Sequence, residues 1–540
     1  MASSRRPLRV LVSFSLAASA VLGAASATSS SASPPRGAGQ PESNQAVHHD
    51  TSGPLRDMPS KGRSTIQHER PLRPMPFAPG TGAPDAAVQS VATTNVATTF
   101  GGLNFAGVGK GDYGFTPNSA PPDTSGAVGA TQYVQWVNES FAIFDKTSGV
   151  IAAGFPKAGN TLWSGFGGGC EANNDGDPIA QYDKAANRWV LTQFSVTSPA
   201  TYGYLQCVAV STTSDATGSY NRYAFSYGTT SFNDYPKLGV WPDGYYVTYN
   251  MFNANTFAGA KACSLDRAAM LAGAAATQVC FQLSSSFGGL LPSDLDGSTP
   301  PPAGSPNYLM NFGTNSLNLW KFHSDFQIPA NSTFTGPTSI GVAAFTPACG
   351  GGTCIPQAGT SQKLDSLADR LMYRLAYRTF SDGHEALVVN QSVKVSGNKR
   401  SEVDGVRWYE IRSPGGVTPT VFQQGTYSPD GTSRWMGSIA MDKVGNIAMG
   451  YSASSSALHP SIRYTGRVVG DAPNTMGVES TIKAGVGSQL ANLSRWGDYS
   501  AMTVDPVDDC TFWYTSEYLK ANGTFNWSTQ IASFKFQACQ

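Results

Sequence analysis

From about residue 100 onward, hydrophobic and polar positions alternate in short runs broken by tight turns, and similar runs recur along the chain. SGAVGATQYVQWVNESFAIFD (125–145), GDPIAQYDKAANRWVLTQFS (176–195) and NDYPKLGVWPDGYYVTYN (233–250) share one plan. DRLMYRLAYRTFSDGHEALVVN (369–390), SRWMGSIAMDKVGNIAMGYS (433–452) and SRWGDYSAMTV (494–504) follow it again. Each has a polar head, a short β-prone run, a turn carrying Asp or Gly, and a second run with aromatics. That pattern is a β-hairpin signature.

The turns fall at Gly129, Asp183, Asp243, near Arg378, at Asp442 and at Asp505, with spacings of 54, 60, 135, 64 and 63 residues. The long spacing spans two periods and places a further unit near residue 310, where NYLMNFGTNSLNLWKFHSDF (307–326) supplies the turn. Seven units of about 60 residues, each with room for four strands, predict an all-β, seven-bladed β-propeller. Six or eight blades are the alternative counts, and a two-sheet sandwich is the competing architecture.

Composition agrees with turn-rich β structure: 58 Gly, 34 Pro and 22 Tyr. Charged residues are only 13%, with 36 basic balancing 36 acidic, so no basic block recommends nucleic acid or an anionic membrane as partner. Residues 1–27 read as a signal peptide: an Arg5-Arg6 start, an apolar stretch and Ala25-Ser-Ala27 as the cleavage site. Residues 28–95, rich in Ser, Pro, Gly and Ala, read as a disordered pro-segment or linker, and 96–540 as the propeller domain. No later apolar run is long enough to span a bilayer. A secreted, monomeric protein is expected.

Eight cysteines suit an oxidising compartment, and their spacing suggests the local pairs Cys170–Cys207, Cys263–Cys280, Cys349–Cys354 and Cys510–Cys539. No cofactor is expected. NNDGDP (173–178) and DLDG (294–297) have the oxygen-rich look of calcium loops, but without the full EF-hand pattern they read as turns.

Aligned on their turns, the repeats place a polar residue at a similar distance upstream. Asp123 and Asp177 precede by six residues, Asp498 by seven, Arg434 by eight, and Asp234 and Asp369 by nine. The fourth unit offers Asp294 or Asp296. In a propeller these heads would meet at the mouth of the central channel. Clustered carboxylates raise one another's pKa, which suits the acid and base pair of glycoside hydrolysis. Asp123, Asp177, Asp234, Asp369 and Asp498 are the catalytic candidates. Arg434 and Arg495 are candidates for binding an acidic sugar, and Trp241, Trp435, Trp496, Tyr235 and Tyr499 for stacking on sugar faces. The competing reading is architectural: an Asp at such a head pairs with a neighbouring blade's Arg.

PPDTSGAVGATQYVQWVN (121–138), DYPKLGVWPDGYYVTYN (234–250), LDSLADRLMYRLAYR (364–378) and SRWMGSIAMDKVGNIAMGYS together resemble a largely uncharacterised family of secreted bacterial proteins. The resemblance covers most of residues 100–540 and carries no assigned catalytic residues. In architecture the repeats are loosely similar to sialidase-like propeller enzymes. SPDGTSRW (428–435) approximates a sialidase Asp-box but lacks one spacer between Asp430 and Gly431. The expected function is a secreted glycoside hydrolase acting on an extracellular polysaccharide or glycoconjugate at the central funnel. The alternatives are a polysaccharide lyase, a non-catalytic glycan- or protein-binding propeller and, last, a peptidase with a removable N-terminal segment.

Overall fold

The computed structural model describes residues 39–78, 80, 82–92, 99–398 and 401–540; the signal-peptide stretch lies outside them. The chain is all-β, and the described helices are short. Seven strands each open a set of antiparallel strands: β1 (Thr124–Val128), β2 (Ile179–Asp183), β3 (Ser231–Val240), β4 (Leu291–Leu295), β5 (Met372–Thr379), β6 (Ser433–Met441) and β7 (Ala501–Val504). Three further strands follow each of β1 to β6, so that β2, for example, is succeeded by Arg188–Ser195, Leu205–Ser211 and Tyr220–Ser226. The last set borrows its fourth strand from the start of the domain, where Thr99–Ala106 pairs antiparallel with Trp527–Phe536.

The opening strands neighbour one another in chain order, β1 beside β2 and onward to β7, which lies beside β1 again. Between β4 and β5 the contact is a parallel ladder, Ser293 opposite Leu375 and Leu295 opposite Tyr377. Close approach of β3 to β4 depends on Gly239, where a Cβ would collide with the Ser293 carbonyl oxygen. The sheets bury Trp136, Trp189, Trp320, Trp408 and Trp435 between them. All four disulfides are the pairs expected from spacing.

Two expectations are corrected. The stretch 307–326 is not the head of the fourth unit: it holds the second and third strands, Asn307–Gly313 and Ser316–His323, and β4 precedes it. A tight turn joins those two strands, whereas β4 is followed by the longer loop 296–306, so turn spacing selected the wrong hairpin. The segment expected to be a disordered spacer is ordered over its described part. Glu42–Gln45 adds to the edge strand Thr277–Gln282, His48–Thr51 to Tyr220–Ser226, and Val88–Gln89 to Thr420–Tyr427. Open sheet edges supply unpaired N–H and C=O groups that even a polar, Pro-rich chain can satisfy. Leu55 and Met75 anchor it in the core, and Asp85 pairs with the buried Arg407.

Midway along the ring the axis is filled by charge. From β5, Arg374 is fully buried and reaches Asp294 and Asp296 at 2.6 Å each and the Met502 carbonyl at 2.9 Å. Gln181 from β2 donates to Asp294 at 2.9 Å, and Lys184 pairs with Asp296 at 2.6 Å.

Candidate functional site

Backbone conformation at the heads of the opening strands is unusual and repeated. Asp123, Asp177, Tyr235, Met436 and Asp498 have φ of 49°, 47°, 55°, 54° and 60°, and Gly289 has 60°. Asp tolerates this left-handed region better than most side chains, which accounts for three of the six being aspartate. In β3 the same turn is built as a bulge between Asp234 and Lys237. One end of the ring thereby collects Asp123, Asp177, Asp234 and Asp498.

A cavity of about 190 Å³ opens at this end, walled by Asp177, Asp234, Tyr235, Arg370, Arg495 and Asp498 and on its apolar side by Phe194, Phe232 and Leu367. Beside Tyr235 and Tyr499, Lys237 is buried with its ammonium 3.3 Å and 4.0 Å from the two ring centroids. Burial pulls this lysine down to about 7, against the attraction of Asp177 and Asp123. Burial pushes Asp234 up to about 7 with help from Asp177, while Arg370 and Arg73 oppose the shift. Asp177 is raised by burial and by Asp498, with Lys237 opposing. Asp123 is raised by burial first, then by Asp498 and Asp177. Below them burial also raises Glu517, whose Oε2 accepts from the Gly497 N–H at 2.8 Å. Asp123 Oδ1, Asp498 Oδ1 and Glu517 Oε1 are buried with no hydrogen-bond partner among the described residues.

The candidate cations divide. Arg495 belongs to this site, but both Nη atoms are engaged, one with Asp365 at 2.8 Å and the other with Asp498 at 2.6 Å. Only its Nε points elsewhere, donating to the Arg70 carbonyl at 3.0 Å. A bidentate grip on a substrate carboxylate is therefore not available to it. Arg434 is no part of the site. It is buried in β6 and neutralised by Glu479 and Asp430, each at 2.9 Å. The Ser-Arg-Trp repetition is thus one site residue and one architectural residue.

Further candidates are displaced for similar reasons. Asp369 forms a two-point bridge to Arg370, 2.6 and 3.0 Å, and lines an adjoining pocket of about 250 Å³ rather than the acid cavity. Asp294 and Asp296 serve the Arg374 hub. In NNDGDP, Asp175 accepts from the Val196 and Thr197 N–H groups and the Thr197 hydroxyl.

No expected stacking platform is open. Trp435 and Trp496 are buried against each other, ring centroids 6.0 Å apart, and Trp496 donates to the Ser452 hydroxyl. Tyr499 is buried and donates to the Pro178 carbonyl, and Tyr235 to that of Asp498. Trp241 lies beside Asp183 and Lys184 at a separate pocket of about 270 Å³. Indole and phenol rings in a β-rich repeat are core material before they are platforms. What sequence reasoning missed is Lys237, Arg370 and the N-terminal Arg70 and Arg73. A lone lysine in the otherwise uncharged run YPKLGVW (235–241), directly after Asp234, was the visible signal for the first.

No family model matches the chain, and no curated protein does. Among solved structures it is similar to an exo-β-1,3-galactanase from Clostridium thermocellum at 10% identity, over 76% of this chain and 90% of that one, with a TM-score of 0.30. An α-L-arabinofuranosidase from Lactobacillus brevis shares 10% identity over 66% and 89% of the two chains, TM-score 0.28. For an endo-1,5-α-L-arabinanase from Thermotoga petrophila the figures are 10%, 76% and 97%, with a TM-score of 0.23. Likeness at this level carries no argument about chemistry, which must come from the site.

Proposed function

We propose that the seven strand sets form a seven-bladed propeller and that the chain is an exported glycoside hydrolase acting on a polysaccharide at the acid cavity. The observation that carries this reading is Asp234, half-buried in a cavity shared with Asp177 and Asp498 and pushed up to about 7 by its surroundings. Such a carboxyl keeps its proton near neutrality and can deliver it to a glycosidic oxygen. Asp498, held by Arg495 at 2.6 Å, is the partner residue that would act as base or nucleophile on the opposite face of the sugar. Lys237 offsets the accumulated negative charge. Four disulfides and the lack of any described helix long and apolar enough to cross a membrane fit export.

A second reading is favoured by the saturation of Arg495 and Arg370: the same mouth binds a glycan or protein partner without turnover. Incubation with a panel of neutral and acidic polysaccharides separates the two. Hydrolysis releases reducing ends, and Asp234→Asn lowers the rate by about a hundredfold or more, the usual scale for losing a general acid. Silence across the panel, or full activity in Asp234→Asn, rejects the hydrolase.

A further inference from the structure

The mouth of the acid cavity is covered by the chain's own N-terminal segment. His68–Glu69 pairs in parallel with Ser119–Ala120, and the Arg70 side chain reaches Glu139 at 2.6 Å. The main chain then crosses the opening. Arg495 donates to the Arg70 carbonyl, and the Arg73 guanidinium lies 4.6 Å over the Phe232 ring, its Nη1 3.2 Å from Asn255 Oδ1. On the far side Met75 is buried against Gly288 and Gly289.

The crossing is built differently from its moorings. It reads Arg70-Pro-Leu-Arg-Pro-Met-Pro-Phe77, and three imide nitrogens in eight residues remove donors and favour an extended chain. From Pro71 to Ala78 the main chain makes no backbone–backbone hydrogen bond to the described residues. Pro71, Leu72 and Pro74 face solvent. Firm attachment resumes at Asp85, on Arg407 and Thr426, and at Val88–Gln89. A segment moored at both ends and held between them by the side chains of Arg73, Met75 and Phe77 rather than by its main chain can leave the groove without unfolding the sheets. Beneath it lie carboxylate oxygens of Asp123 and Asp498 that no described protein group satisfies.

We propose that residues 71–78 are an intramolecular plug, occupying the groove that an extended, chain-like ligand takes once the plug is displaced. The proposal rests on this cavity being a ligand site, and its test needs no substrate, so its failure and that of the hydrolase reading are told apart. Lys237 is the reporter, because its amine stands against Tyr235, which walls the cavity beneath the crossing.

The full-length protein, Arg73→Ala and Met75→Ser are treated with a water-soluble amine-acylating reagent at pH 8, and modification of Lys237 is followed by mass spectrometry. Lys443, exposed and remote, is the internal standard. In the parent chain Lys237 should react far more slowly than Lys443. Arg73→Ala should speed it by about twofold to thirtyfold, the range expected when a cation–π contact is lost from a local opening equilibrium, and Met75→Ser, which removes the buried side chain on the far side, should speed it by at least as much. Lys443 should not change. Equal labelling of Lys237 and Lys443 in the parent overturns the proposal. So does unchanged Lys237 labelling in both variants at unaltered melting temperature.

Discussion

Asp234 and Lys237, three residues apart across a bulge, meet near the same pKa from opposite directions. The Asp234 carboxyl is raised to about 7 when folded and would titrate near 3.9 unfolded. Between those values the folded state holds a proton that the unfolded state has released, so stability falls as pH rises from 4 to 7. For Lys237, lowered to about 7 against an unfolded value near 10.4, the unfolded state holds the extra proton, and stability rises from pH 7 to 10. The two contributions make pH 7 the least favourable region for this pair. Asp234→Asn removes the first slope. It should leave the unfolding free energy unchanged at pH 4 and raise it by about 1–3 kcal/mol at pH 8, as chemical denaturation at the two pH values would show. A stability gain that accompanies loss of turnover marks a residue retained for chemistry rather than for folding.

At the scale of the strand, the heads and the middles of the opening strands do different jobs. Heads carry the repeated left-handed residue and present acids to the cavity. Middles close the axis through Arg374, which β5 extends to carboxylates of β4 and its following loop and to a carbonyl of β7. Arg374→Met leaves Asp294 and Asp296 buried without their shared cation, with Lys184, Gln181 and the Val240 N–H as remaining partners. Removing one partner of such a cluster costs about 3–5 kcal/mol, so the variant should melt lower or fail to accumulate, measured by thermal denaturation. Strand heads were legible because a polar residue recurs upstream of each turn. Their partners were not, because Asp294 and Arg374 are eighty positions apart and meet only when β4 and β5 pair in parallel.

Across the whole molecule, the ends of the domain meet in one sheet. Thr99–Ala106 completes the set begun by β7, and Cys510–Cys539 ties the C-terminal residues to the turn after β7. Cys510→Ser with Cys539→Ser should lower stability by about 2–4 kcal/mol, read as a lower melting temperature, with the sheets otherwise intact in circular dichroism. Local chemistry in the sequence was enough to determine the β class, the strand-turn period and the pairing of nearby cysteines. Hairpins, turns and short loops are written in contiguous residues. Only the tertiary structure decided which polar heads share a cavity. It brought Asp123, Asp177, Asp234 and Asp498 together, kept Arg495, sent Arg434 and Asp369 elsewhere, and buried the expected aromatic platforms. It also turned an apparent spacer into edge strands and a cover for the mouth, because sheet edges offer hydrogen-bond partners that no composition reveals. Burial and long-range pairing set the charge on each of these groups, and neither is a property of a residue's neighbours in sequence.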